Sequence, residues 1–217
     1  MQEGSSLRIY TFPLGPLQTN CYVVANEETN EAIIIDAGMH PGELLDKANE
    51  YEVQAILLTH AHFDHMGGLE QVRKKTGAPV YIHNAEQEWL TNPTLNGSSN
   101  WPMIGGPMTT DRAEHEVKDG DLLTFAGFNV QVMETPGHTP GGVSFLIGQE
   151  LFSGDTLFAH SIGRTDLPGG NYEQLIRSIQ EKLLPLPEET RVYPGHGPDT
   201  TIGFEKLHNP FIVETLR

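Results

Sequence analysis

The chain has 217 residues, of which 37% are hydrophobic, and its 29 acidic side chains against 13 basic ones give a formal net charge of -16. A chain this acidic repels phosphate backbones, which disfavours nucleic acid as a partner. It has no run of about 20 apolar residues, no basic start followed by an apolar run, and a single cysteine, Cys21. We therefore expect a soluble, cytoplasmic protein that does not enter a membrane.

Short β-rich runs come first along the chain. Turn residues such as Gly15 and Asn30 separate three predicted strands: Leu7–Phe12, Cys21–Ala25 and Ala32–Asp36. The apolar pattern then predicts a helix, a strand, a loop, a helix and a strand, in this order: Pro41–Tyr51, Gln54–Leu58, His60–His65, Gly67–Thr76 and Pro79–Ile82.

The segment Asn84–Thr110 differs from its surroundings, because Asn, Pro, Gly and Ser are dense in it and Trp89 and Trp101 are interspersed. It is either an insertion that covers the substrate or an irregular surface loop, since long loops in compact domains are often functional. Its tryptophans accordingly either line a pocket or anchor the loop.

The second half of the chain returns to strands. Four are predicted before a helix: Leu122–Phe125, Asn129–Glu134, Gly142–Ile147 and Leu151–Ser153. The helix Glu173–Leu184, the strand Arg191–Tyr193 and the helix Thr201–Leu207 follow. This order predicts one domain over residues 1–217, an α/β four-layer (αββα) sandwich of two mixed β-sheets with helices on the outer faces.

One cluster of polar residues follows the strand Gln54–Leu58. In it, His60, His62, Asp64 and His65 fall within six positions. His60 and His62 face the same way in an extended segment, and Asp64 and His65 can address a second point where the chain turns into a helix. Packing these groups without a metal ion would leave repelling or unsatisfied polar groups in a partly buried site. The cluster therefore predicts metal binding.

Three further ligand-type residues each follow a predicted strand on a glycine-bearing loop: His138, Asp155 and His196. Together with the first cluster they make five histidines and two aspartates, a natural complement for two ions bound through nitrogen and oxygen. Zinc is the first expectation, and iron or manganese are alternatives because such sites accept either.

The motifs THAHFDH, GHTPGG, SGDTLF and YPGHG together resemble the metallo-β-lactamase superfamily, from about Thr11 to beyond His196. The segment SGDTLF followed by Ser161–Asp166 is similar to its hydroxyacylglutathione hydrolase (glyoxalase II-like) branch. The resemblance implies the following sites: His60, His62 and His138 for a first metal; Asp64, His65 and His196 for a second; Asp155 bridging both. Asp36 matches a structural aspartate near the site and is not expected to be a ligand.

The resemblance also implies the reaction. A hydroxide held between two divalent ions would attack the carbonyl carbon of a small-molecule thioester, a hydroxyacyl thiol of the lactoyl type, and Asp64 could accept the proton. Asp64 and Asp155 are thus the expected catalytic carboxylates. Only 21 residues follow His196, which implies a short form without the C-terminal helical domain that grips glutathione in long relatives, so the thiol need not be glutathione.

Two residues are candidates for substrate contact. Arg164 could bind an anionic substrate or form a salt bridge with Asp166, and Tyr193 could flank the site or pack beneath its strand.

The alternative function is a persulfide dioxygenase of the same superfamily with a single iron, or hydrolysis of another small ester or lactone. A lactamase is disfavoured by Asp155, a nuclease by the acidity, and a non-catalytic module by the presence of all seven expected ligands.

Overall fold

Two six-stranded sheets form the centre of the computed structural model, which describes residues 7–215. The first sheet has the order β1 (Leu7–Leu14), β2 (Thr19–Asn26), β3 (Glu31–Ile35), β4 (Glu52–Leu57), β5 (Val80–His83) and β6 (His115–Val117). β1 to β3 are antiparallel neighbours, and β3 to β6 pair in parallel.

The second sheet contains six further strands. Its members in chain order are β7 (Leu122–Phe125), β8 (Phe128–Glu134), β9 (Val143–Ile147), β10 (Glu150–Gly154), β13 (Arg191–Pro194) and β14 (Thr200–Thr201). β10 pairs in parallel with β13, and the other neighbours are antiparallel. A hairpin of β11 (Leu157–Phe158) and β12 (Ser161–Ile162) stands apart.

Strands β2 and β3 are apolar on both faces, because alternate residues enter different cores. Val24, Ile33 and Ile35 point between the sheets and join Val132 and Phe145 of the second sheet. Val23 and Ile34 point outward, into a core shared with the helices described below.

Helices cover both outer faces. They are α1 (Gly42–Ala48), α2 (Phe63–Met66), α3 (Leu69–Thr76), α4 (Gln87–Thr91), α5 (Tyr172–Ser178), α6 (Ile202–His208) and α7 (Pro210–Thr215). α1 and α3 pack on the first sheet through Leu44 and Leu69. α5 and α6 pack on the second through Leu175 and Ile202. The predicted four-layer arrangement of two mixed sheets between helices is confirmed.

The helix boundaries differ from the prediction for physical reasons. The helix predicted over Pro41–Tyr51 ends at Ala48, because the amides of Glu50 and Tyr51 bond three residues back and close the last turn. The helix predicted over Glu173–Leu184 is α5 followed by one π-helical segment, Ile179–Leu183. The predicted loop His60–His65 ends inside the single-turn helix α2.

The loops that carry the predicted ligands are joined by backbone hydrogen bonds. The amide of Val143 donates to the carbonyl of Thr59 at 2.9 Å, which ties the loop after β4 to the start of β9. The amide of Gly195 donates to Gly154 at 2.8 Å, and the amide of Asn20 donates to Gly195 at 2.7 Å. One edge of the sandwich thereby holds all the ligand-bearing loops. Within residues 7–215 the helices are all too short or too polar to span a bilayer.

Candidate metal centre

Three histidines from two loops form the first group of the centre. His60 and His62 follow β4, with His62 in an extended conformation at the start of α2, and His138 lies in the turn between β8 and β9. Their ring centroids are 4.6 to 4.9 Å apart. Nδ1 of His62 lies 2.9 Å from Nε2 of His138. All three rings are buried and offer nitrogen atoms to one point.

Asp64, His65 and His196 form the second group. Oδ2 of Asp64 lies 3.2 Å from Nε2 of His196 and 3.5 Å from Nε2 of His65. Asp64 and His65 project from α2, whereas His196 lies in the turn after β13. Asp64 and His65 thus lie in the helical turn that follows His60 and His62, and the ring centroid of His65 lies 4.1 Å from that of His60.

Asp155 lies between the two groups, directly after β10. Its Oδ2 is 3.4 Å from Nε2 of His138 and 3.5 Å from Nε2 of His196, and its Oδ1 is 3.2 Å from Nε2 of His65. One carboxylate thus reaches both groups, which is the geometry expected of a shared ligand.

Hydrogen bonds fix the rings of three histidines. Nδ1 of His138 bonds the carbonyl of Arg164 at 2.7 Å, and Nδ1 of His65 bonds Oδ2 of Asp36 at 2.8 Å. Nδ1 of His60 lies 3.1 Å from the hydroxyl of Thr59, which itself donates to Asp36. A histidine that donates from Nδ1 keeps its Nε2 lone pair free for a metal ion. Asp36 accordingly holds His65 and Thr59 through hydrogen bonds and belongs to neither ligand group.

The buried polar atoms of the cluster fit a divalent metal. Nε2 of His60, Nε2 of His65 and Oδ1 of Asp155 are buried, and none has a hydrogen-bond partner within residues 7–215. Leaving such atoms unpaired is costly, and coordination would satisfy all of them. Nitrogen and carboxylate oxygen are donors suited to zinc, iron and manganese.

The electrostatics differ between the two groups. Burial lowers the pKa of His60, and it lowers the pKa of His62 to about 3, so both rings are neutral. Burial would also lower the pKa of His196, but Asp155 and Asp64 outweigh it and raise that pKa to about 9. Burial opposes ionisation of Asp64, but His65 and His196 lower its pKa to about 2. A divalent cation would take the place of the protons held among these carboxylates.

A cavity of about 490 Å³ opens above the centre. His62, Asp64, His138, Asp155 and His196 line its floor. Its walls are largely apolar and comprise Leu17, Phe63, Trp101, Phe158, Ile162, Leu167 and Pro168.

The segment 84–110 supplies part of the cavity wall through Asn96, Gly97, Asn100 and Trp101. The structure therefore favours the interpretation of this segment as a cover for the substrate. Its other tryptophan, Trp89, is buried and lies against the ring of His62, with centroids 5.8 Å apart.

The two candidates for substrate contact have different positions. The guanidinium of Arg164 bonds Asp166 at 2.7 and 2.8 Å, so the predicted salt bridge is present. Arg164 also lines the cavity, and its contact with an anionic substrate stays a prediction. Tyr193 is absent from the cavity lining: it is buried, stacks on Phe152 at 5.1 Å and meets Tyr22 edge-on. The structure therefore favours the alternative that Tyr193 packs beneath its strand, because the alternation of β13 directs it between the sheets.

Sequence reasoning missed several residues around the centre. Thr19, Asn20 and Glu86 are buried and bond residues of the ligand loops. Their partners are 25 to 174 positions away in the sequence, so no local pattern could have identified them.

Known proteins are similar in sequence to this chain over most of its length. A sequence profile described as the metallo-beta-lactamase superfamily matches residues 14–196. A probable metallo-hydrolase of Bacillus subtilis, YqgX, is 43% identical over 208 residues, which cover 92% of this chain and 95% of the relative. The hydroxyacylglutathione hydrolase GloC of Haemophilus influenzae is 36% identical over 212 residues, covering 95% of this chain and 98% of the relative.

Two solved structures share the fold. The crystal structure of BLEG-1, described as a B3 metallo-beta-lactamase, has a TM-score of 0.89 and 48% identity, covering 94% of this chain and 99% of that chain. TTHA1623 in a di-iron-bound form has a TM-score of 0.78 and 40% identity, covering 93% and 99%. With a matching profile and relatives along nearly its whole length, the chain belongs to the metallo-β-lactamase superfamily.

Proposed function

We propose that this metallo-hydrolase cleaves a hydroxyacyl thioester of the lactoyl-thiol type at a centre of two divalent metal ions. The observation that carries the proposal is the position of Asp155, whose carboxylate lies between two groups of three ligand-type residues on the floor of a cavity. His60, His62 and His138 would hold one ion, Asp64, His65 and His196 the other, and Asp155 both. We expect zinc first, and iron is the alternative because the similar structure of TTHA1623 is described in a di-iron-bound form.

When bound, the ions would lower the pKa of a water molecule toward about 7 and stabilise negative charge on the substrate carbonyl. Asp64 lies on the floor of the cavity beside His196, and its carboxylate would accept the proton that the attacking water loses. A carbon–oxygen bond forms to the carbonyl, the carbon–sulfur bond breaks, and the products are a hydroxy acid and a thiol. The thiolate leaves readily because a thiol has a pKa of about 8.5.

The residues that line the cavity favour a substrate that carries little charge. Among the lining residues that the structure describes, Arg164 is the one basic side chain apart from the histidines, and Asp166 already pairs with it. The apolar walls suit the carbon chain of an acyl group or of a small thiol. Similarity to a hydroxyacylglutathione hydrolase at 36% identity supports thioester chemistry.

The test is thiol release from a panel of lactoyl thioesters by protein of known metal content. Asp155→Ala should lower kcat/KM more than about 100-fold, since even partners outside the ligand set are worth about 10–100-fold. Asp46→Ala, an exposed carboxylate on α1, is the matched control and should leave the rate unchanged. Release that is absent from every thioester, although two metal ions are bound, would overturn the proposal, and oxygen uptake with a persulfide would then be measured.

A second candidate is hydrolysis of a β-lactam ring. The structure described as a B3 metallo-beta-lactamase, at 48% identity, favours it. A β-lactam therefore belongs in the same panel, and a kcat/KM for it above that of every thioester would reverse the order of the two candidates.

A further inference from the structure

A buried carboxylate joins the two loops that supply the first group of histidines. Glu86 lies at the end of a single 3₁₀ turn after β5, and it is fully buried. Its Oε2 accepts a hydrogen bond from the amide of Ala61 at 3.1 Å, and its Oε1 accepts one from the amide of Gly141 at 2.8 Å. Ala61 lies between His60 and His62, and Gly141 lies on the loop of His138. One side chain therefore sets the distance between the two halves of the first group.

Thr19 and Asn20, at the start of β2, join the segments that supply the second group. The hydroxyl of Thr19 donates to Oδ2 of Asp64 at 2.8 Å. The side-chain amide of Asn20 donates to the carbonyls of Pro194 at 3.0 Å and Gly197 at 2.8 Å, which flank His196. Both side chains are buried. Thr19 and Asn20 thus connect Asp64 on α2, which follows β4 of the first sheet, to the turn of His196, which follows β13 of the second sheet.

From these contacts we propose that Glu86 is a positioning residue for the first metal position, and that Thr19 and Asn20 are positioning residues for the second. The two positions can then be weakened independently. The proposal rests on the proposed function in one respect, namely that the centre binds two ions.

Glu86 should affect the first metal position because its carboxylate accepts hydrogen bonds from two backbone amides, one on each ligand loop. Glu86→Gln replaces one acceptor by a donor, so one of the two backbone amides loses its partner in a buried site. The loop that carries that amide must shift to regain a partner, and the histidines shift with it. Residues that orient ligands are typically worth about 10–100-fold in metal affinity.

Each position is weakened in turn by removing one of its histidines, so that the tighter binding event in the titration reports the other position. Apo protein carrying His196→Ala retains the first group, and apo protein carrying His138→Ala retains the second. Each is titrated with Zn²⁺ against a chromophoric chelator, a readout independent of catalysis. In the His196→Ala background, Glu86→Gln should lower the affinity about 10–100-fold, and Thr19→Val should have no effect. In the His138→Ala background, Thr19→Val should lower the affinity and Glu86→Gln should have no effect. Thr19→Ser, which retains the hydroxyl, should keep the affinity of the unaltered Thr19.

Gln87→Glu is the matched control. Gln87 is also buried, and its amide makes two hydrogen bonds to the backbone of Ala113, at 3.1 Å each, away from the ligand loops. The exchange breaks one of them as Glu86→Gln breaks one of its own, so it reports the effect of a disrupted buried hydrogen bond, together with an exchange between amide and carboxyl, at a position that does not hold the ligand loops. It should leave both zinc affinities unchanged.

Three results would overturn the inference. The first is a loss of zinc affinity in Gln87→Glu as large as that in Glu86→Gln. The second is an equal loss of affinity at both positions in Glu86→Gln. The third is an unchanged zinc affinity in every variant although two ions bind. In the last case the proposed function stands. If the unaltered protein binds fewer than two ions, the binuclear centre and the inference both fail. Should Glu86→Gln not fold, the comparison of Thr19→Val, which loses the hydroxyl, with Thr19→Ser, which keeps it, decides the question at the second position.

Discussion

The backbone carbonyl of Arg164 accepts a hydrogen bond from Nδ1 of His138 at 2.7 Å, while the side chain of Arg164 lines the cavity. The guanidinium and Asp166 form an ion pair in which both side chains are more than half exposed, at 56% and 68%. Exposed ion pairs of this kind contribute only about 0.2–1 kcal/mol, so a substrate carboxylate can compete with Asp166 for the guanidinium. The backbone role and the side-chain role of Arg164 can therefore be separated by mutation.

Asp166→Ala should lower KM for a thioester with a negatively charged thiol by about 1.4–5-fold, because it frees the guanidinium. Arg164→Ala should raise the same KM by a similar factor. Neither should change KM for a neutral thioester or the metal content, since the bond to His138 comes from the backbone. Steady-state kinetics on a charged and a neutral lactoyl thioester would measure this. Loss of metal from Arg164→Ala would contradict the assignment.

Trp101 forms part of the cavity wall and is 42% exposed, with its ring 6.0 Å from that of Phe63. Trp101→Ala should raise KM for thioesters with an apolar chain by about 5–30-fold, which corresponds to about 1–2 kcal/mol of lost apolar contact. The turnover number should change little, because within residues 7–215 the ring of Trp101 lies against Phe63 and not against a predicted ligand. Met103→Ala, at a side chain that is 93% exposed on the same segment, is the control. A fall in kcat with unchanged KM would exclude a wall role for Trp101.

Local motifs predicted the centre well because its residues are concentrated in short segments that follow strands. HxHxDH supplies four of the seven expected ligands within six positions, and each remaining ligand follows its own strand on a glycine-bearing loop. The strands β2 and β3 were equally clear, since both faces are apolar. What escaped prediction depends on contacts between distant positions or on very short elements. Glu86 and Thr19 act on residues 25 and 45 positions away, and β11, β12 and β14 have two residues each, too few for an alternating pattern.

Asp36 accepts hydrogen bonds from His65 and from both the amide and the hydroxyl of Thr59. Asp36→Asn should weaken Zn²⁺ binding at the second position by about 10–100-fold, because in either orientation the new amide nitrogen faces at least one donor that now bonds the carboxylate. Zinc titration in the His138→Ala background measures it. The backbone of Asp36 has a φ of 60°, which asparagine tolerates, so the exchange isolates the side chain. Asn30→Asp, at an exposed position that also has a φ of 60°, is the matched control. Unchanged zinc affinity in Asp36→Asn would remove Asp36 from the support of His65.

Gly195 allows the turn before His196 to approach Asp155 more closely than any side chain would permit. A Cβ atom there would lie 2.1 Å from Oδ1 of Asp155 and 2.7 Å from Cε1 of His65. The backbone cannot retreat freely, because the amide of Gly195 bonds Gly154 and its carbonyl bonds Asn20.

Gly195→Ala should therefore displace Asp155 from its place between the two groups and lower both the metal content and kcat/KM, the latter about 100-fold for a shift of about 1 Å. Gly42→Ala, where a Cβ would meet nothing within 4 Å, should leave both unchanged. Metal analysis of the purified variants, together with their thermal midpoints, distinguishes displacement of the carboxylate from a general loss of stability. A Gly195→Ala protein that keeps two ions per chain would show that Asp155 need not lie between the groups for both to be filled, because the added methyl occupies the space of its Oδ1.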